Sequence, residues 1–194
     1  MAHGALYDMF LNLLRDIYDA ENQIILALPK AAQAASHSDL KEFFSIHLDE
    51  SNNQLMRLKN IFKWLNENPT GVNCRAIQGL SAELDETINK ASSATIKDVA
   101  LIVCWQKIEH YEISSYGSLR ALSRHLGDAW TNEQINFDDI TAQLLLILDE
   151  ASAADERLTD IAEGGFFSQG INDEAESEEA LALKNTNPNQ NIKK

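Results

Sequence analysis

Apolar residues recur at alternating steps of three and four over four long stretches, and each stripe is interrupted near its middle by polar groups. From Ala5 onward the first reads Leu6, Phe10, Leu14, Ile17, Glu21, Ile24 and Leu28. Pro29 is expected to kink or close this helix, although the KAAQAAS that follows is a strong helix former able to carry it two turns further. A second helix is predicted from about Asp39 to Leu65, capped by Ser38 or Asp39 with Glu42 in reach of a capping box. Its stripe is Leu40, Phe44, His47, Ser51, Gln54, Leu58, Ile61 and Leu65.

The segment CRAIQGLSAELDETINK reads as a shorter helix, interrupted by Gly79, within a long crossover. The third long helix is predicted from Ser92–Thr95 to about Leu126, stopped by Gly127, with Ile102, Trp105, Glu109, Glu112, Tyr116 and Leu119 on one face. The fourth begins between Asn132 and Asn136 and runs to about Ala162 through Ile140, Gln143, Ile147, Glu150, Ala154, Leu158 and Ile161. No stretch reads as a series of strands. The expected fold is an all-α four-helix bundle over residues 1–163, and residues 164–194, acidic and then Asn-rich, read as a flexible tail.

The polar interruptions bring chemistry into view. Burying an unpaired carboxylate costs several kcal/mol, so each such side chain is solvated, paired or bound to a cation. In a four-helix bundle, groups at mid-height on all four helices converge on one interior point, and the recurring reason is a two-metal carboxylate site. The candidate ligands are Glu21, His47, Glu50, Glu109, Glu112 and Glu150. Five carboxylates and one imidazole nearly neutralise two divalent ions with a bridging hydroxide, and so oxygen-rich a set suits iron or manganese.

Each residue alone has a plainer explanation: a glutamate at the stripe's edge with its head in water, or a histidine that packs and hydrogen-bonds. It is the coincidence across four helices that favours metal. His110 points about 100° away from Glu109 and reads as lying behind the ligands or exposed. Tyr18 and Tyr116 stand one turn from Glu21 and Glu112, placed either to hydrogen-bond ligands or simply to pack. Trp64, Trp105 and Trp130 need no cofactor to explain them.

A formal charge of -14 over 194 residues excludes a phosphate-tracking surface, hence a nucleic-acid partner, and favours cations. Cys74 and Cys104 lack metal-type spacing, Cys104 sits in an apolar stretch that reads as core, and two cysteines fit a reducing compartment. No apolar run approaches membrane-spanning length and no leader pattern opens the chain. A cytoplasmic protein without a membrane partner is expected.

YDAENQIILALPKAAQAA, FFSIHLDESNNQLMRL, IEHYEISSYGSL and LDEASAADERLTDIA together resemble the YciE/YciF branch of the ferritin-like superfamily, in the same order over roughly Ala5 to Ala162. The resemblance implies an antiparallel four-helix bundle, a homodimer, a link to bacterial stress and a ferroxidase or peroxide-consuming activity. The chain departs from the general ferritin-like pattern of Glu-x-x-His on two helices. Here the second helix has the reverse order, His47-x-x-Glu50, and Glu150 is followed three residues later by Ala153, whereas Glu112 is a carboxylate beyond the minimal set. Such a site suits manganese, or one firm and one weak metal position.

Two functions follow as expectations. One is a redox enzyme using two iron ions, or manganese, on ferrous iron, dioxygen or hydrogen peroxide. The other is a non-enzymatic helical stress or scaffold protein whose interior carboxylates are hydrogen-bonded or hold a structural ion, with Phe166 and Phe167 in the tail available to partners.

Overall fold

A computed structural model of the chain describes residues 4–129, 135–164 and 169–186. Among these residues six helices appear in the order α1 (Ala5–Ala34), α2 (Ser38–Leu65), α3 (Arg75–Lys90), α4 (Ala94–Ala129), α5 (Phe137–Glu163) and α6 (Ile171–Thr186). There is no strand among the described residues.

The four long helices form a ring in which α1 packs on α2 and α4, and α5 packs on α2 and α4. All neighbours in the ring run antiparallel. The α1–α2 turn fixes one end: the Asp98 carboxylate at the start of α4 accepts hydrogen bonds from the backbone N–H of Ser36 at 2.7 Å and of His37 at 2.8 Å. At the other end Arg15 donates to the Asn68 carbonyl at 2.9 Å, and the Phe10 and Phe137 rings meet edge-on at 6.3 Å. Between these ends α3 climbs the outside of α1 and α4 and returns the chain to the top. The crossover is tied down where it leaves the bottom, since Cys74 N–H donates to Asp19 at 2.8 Å and Gln23 donates to the Cys74 carbonyl at 3.1 Å.

The stripes of α2 and α4 are buried residue for residue as their spacing predicts. On α1 the stripe holds from Phe10 to Leu28, but Leu6 is exposed and Tyr7 takes the interior position. Each fully buried Leu, Ile or Phe contributes about 1.5–3 kcal/mol, which is the main source of the bundle's stability.

Several boundaries differ from expectation for local reasons. Pro29 does not end α1, which continues to Ala34. Gly79 lies within an unbroken α3. The cap of α2 is His37, whose Nδ1 accepts from Asp39 N–H at 3.3 Å, rather than Ser38 or Asp39. Gly127 does not stop α4: a Cβ there would lie 3.1 Å from Phe137 Cβ, so its small size serves close packing with the start of α5. Asn136 caps α5, accepting from Asp138 and Asp139 N–H. Trp130, Phe166 and Phe167 lie outside the described residues.

The segment read as a loose tail contains α6, whose Ile171 and Ala175 are buried against α4 and α5. Gly170 allows this return, because a Cβ at that position would fall 2.3 Å from the Glu163 backbone. Sparse apolar positions in an acidic run conceal a helix that needs only one short apolar edge.

Candidate metal centre

Glu21, His47, Glu109 and Glu112 are each buried to 1% exposure or less, midway along α1, α2 and α4. Apolar residues flank Glu21 on α1, whereas on α2 the polar layer continues through Ser51 and Gln54. His47 Nε2 lies 3.0 Å from Glu109 Oε1, at ion-pair distance but without the alignment of a hydrogen bond. One ligand-type atom from each of His47, Glu109 and Glu112 lies within 4.8 Å of the others. Donor atoms on opposite sides of a first-row ion, with bonds of about 2.1 Å, stand about 4.2 Å apart, so a shift of a few tenths of an ångström closes the set.

Both oxygens of Glu109, both of Glu112 and one of Glu21 lack any hydrogen-bond partner. Buried polar atoms without partners are rare and call for an explanation. The remaining Glu21 oxygen accepts from the Tyr116 hydroxyl, which settles the role of Tyr116 as a partner of the cluster. Tyr18 instead packs edge-on against Phe62 at 5.7 Å.

The electrostatics express the same crowding. Burial, followed by the charges of Glu21 and Glu109, holds the Glu112 carboxyl well above its ordinary range. Burial also raises Glu21, against the opposing effect of the neighbouring Glu112 and Tyr116 side chains. For His47 burial acts downward, yet the Glu109 charge and contact, joined by Glu50, outweigh it and raise the imidazole to about 9. Glu21, Glu112 and His47, buried together, therefore hold protons that a cation of suitable size would displace.

The other two predicted ligands are elsewhere. Glu50 Oε2 is 2.7 Å from Arg157 and 3.3 Å from His47 Nδ1, with the side chain about a third exposed. Contact with Glu50 suits a proton on Nδ1, so that Nε2, once it gives up its own proton, is the nitrogen that faces the cluster, the arrangement by which carboxylates orient metal-binding histidines. Glu150 Oε2 accepts from Arg57 at 2.6 Å and from Gln54 at 3.1 Å. It too is about a third exposed.

On α5 the interior stripe is Ile140, Leu144, Ile147, Ala151, Ala154 and Leu158. Gln143 and Glu150 fall one position off it, because steps of three and of four are both compatible with a 3.6-residue turn. His110 is exposed beside Asp155 at 3.4 Å.

Arg57 and Arg157 are the residues that spacing alone did not select. The Arg157 guanidinium also lies over the Phe43 ring at 5.4 Å, and Phe43 in turn stacks on His47 at 5.4 Å. A signal was present: Glu50 and Arg57 on α2, like Glu150 and Arg157 on α5, are seven residues apart and share a face. Two antiparallel helices with that repeat pair each glutamate with the other helix's arginine.

Comparison with known proteins agrees with this architecture. Residues 5–176 match the family described as a domain of unknown function, DUF892. Protein YciF of Escherichia coli strain K12 is 36% identical over 156 residues, covering 80% of this chain and 89% of YciF. The crystal structure of that E. coli stress protein aligns with a TM-score of 0.74 at 35% identity, over 81% of this chain and 94% of the other. YcfI of Rhodopseudomonas palustris, provisionally described as a structural protein, aligns with a TM-score of 0.75 at 41% identity, over 82% and 96%.

Proposed function

Given that this chain belongs to the DUF892 family, that of YciF, we propose that it is a metal-dependent stress protein whose buried centre acts on ferrous iron, dioxygen or hydrogen peroxide. The observation that carries the reading is the set of partnerless oxygens on Glu109 and Glu112 beside His47 Nε2. His47, Glu109, Glu112 and Glu21 would hold the ion, iron or manganese by the hardness of the donors. Bound there, such an ion supplies one-electron redox steps and open coordination positions for a small oxidant.

The protein's own contribution is positional. Glu50 orients the imidazole, Tyr116 holds one Glu21 oxygen, and the Phe43 and Trp105 rings pack against His47. No described helix is long and apolar enough to cross a membrane, which fits the proposed cytoplasmic setting. The test is anaerobic addition of ferrous iron followed by air. The parent should oxidise iron faster than buffer alone, and a Glu109→Gln form should not; equal rates for parent and variant would refute the proposal.

A second reading, a structural helical protein, is favoured by one observation. Tyr116 and the raised proton affinities of Glu21 and Glu112 let the cluster persist by sharing protons. Protein purified without chelator that contains no transition metal, and gains no melting temperature when manganese or ferrous iron is added, would establish this alternative.

A further inference from the structure

We infer that the centre holds one divalent ion per chain, and that Arg57 and Arg157 withhold the carboxylates a second ion would need. The inference deepens the metal-binding reading above and rests on it.

The six candidate ligands divide in two. His47, Glu109 and Glu112 bring ligand atoms within 4.8 Å of one another in the interior, and Glu21 is fully buried on α1 with one oxygen held by Tyr116. Glu50 and Glu150 are drawn to the α2–α5 seam, where each directs Oε2 at an arginine of the opposite helix, at 2.7 Å and 2.6 Å. Neither arginine is idle. Arg157 is pinned by the Phe43 face as well as by Glu50, and Gln54 reinforces the Arg57 side by donating to the same Glu150 oxygen.

Helix α5 offers no replacement. Its interior positions at this height are Ile147, Ala151 and Ala154, and the place where a Glu-x-x-His pattern would set a second imidazole is the exposed Ala153.

Ligand supply leads to the same count. Three inward carboxylates with one neutral imidazole carry a charge of about -3, which one dication reduces to about -1; a second dication, with or without a bridging hydroxide, would find no further inward carboxylate or imidazole at this height among the described residues to hold it. Recruiting Glu50 and Glu150 would supply ligands, but only by stripping two arginines of their partners and His47 of the carboxylate that orients it.

Manganese(II) is the probe, because free ion gives a sharp electron paramagnetic resonance signal that disappears on binding. Titrated into metal-free protein, the parent should remove about one equivalent per chain, with the spectrum of an isolated ion. The Arg57→Met/Arg157→Met double variant should remove about two and show exchange coupling between neighbouring ions.

Two equivalents bound by the parent with similar affinity would overturn the inference while leaving the metal centre standing, whereas no binding at all would remove both. A double variant that folds, by its melting curve, and still binds only one ion would overturn the role of the arginines. The parent titration needs no variant, so the count stays exposed to refutation even if the double variant does not fold.

Discussion

The two sides of the mid-height polar layer contain the same chemical group in opposite states. Toward α1 and α4, Glu21, Glu109 and Glu112 are fully buried without a basic side chain among them except His47. Toward the α2–α5 seam, Glu50 and Glu150 are partly wet and each meets an arginine. An ion pair at the surface contributes little but costs little, whereas an unpaired buried carboxylate is expensive. The first side is thus an energetic liability that a cation would relieve, and the second is already balanced. The presence or absence of an arginine partner, rather than the glutamate itself, decides which carboxylates are available to metal.

The sharpest way to break this contrast is to remove one carboxylate from each side. Loss of an orienting partner typically weakens metal binding about 10–100-fold, so loss of a direct ligand in Glu109→Gln should weaken manganese binding by more than about 100-fold. Glu150→Gln should change it by less than about threefold, since Arg57 already engages that carboxylate. Calorimetric titration of both variants checks the pair. Comparable losses would mean that the outward carboxylate also reaches the ion.

The two sides should also respond differently to pH in the metal-free protein. His47 is raised from an ordinary 6.5 to about 9 by its buried carboxylate neighbours. A group whose proton affinity is higher folded than unfolded stabilises the fold below its unfolded value and stops doing so as pH climbs past the folded one. Metal-free protein should therefore lose about 3 kcal/mol between pH 6.5 and 9, read by urea denaturation. Bound manganese, which requires the deprotonated imidazole nitrogen, should flatten that slope. A metal-free protein with no such slope would show that His47 does not hold its proton against Glu109.

Replacing Glu112 by methionine separates stability from binding. Substituting an apolar side chain of similar size for a buried carboxyl without hydrogen-bond partners removes a desolvation penalty, so metal-free Glu112→Met should melt higher than the parent. The same variant should lose the melting-temperature gain that the parent shows with manganese. Destabilisation would instead indicate that Glu112 is satisfied without an ion.

Much of this was legible in the chain, and the exceptions have specific causes. Every stripe residue listed on α2 and α4 is buried because apolar residues on both flanks leave one solution for the helix face. Gln143 and Glu150 were misplaced because Ile140 and Ile147 fit two stripes equally well, and only packing against α2 and α4 chose Leu144 and Ala151. His37 caps through a ring nitrogen rather than the usual short hydroxyl or carboxylate, and Gly127 packs against Phe137 on the next helix, a contact that its own helix does not announce. Helix α6 is not legible in the pattern, because two buried side chains, Ile171 and Ala175, do not make a stripe.

The smallest effect belongs to the arginine-paired side and tests whether it is as balanced as its geometry implies. Arg57 and Glu150 are both about a quarter to a third exposed, and Gln54 supplies a further hydrogen bond to the same oxygen. A double-mutant cycle of Arg57→Met and Glu150→Gln in metal-free protein should return a coupling of about 0.5–1 kcal/mol, the range of partly screened ion pairs. It should shrink further in high salt, because the pair is open to counterions. A coupling of several kcal/mol that resisted salt would place this carboxylate among the buried ones, and the division between the two sides of the layer would be one of degree.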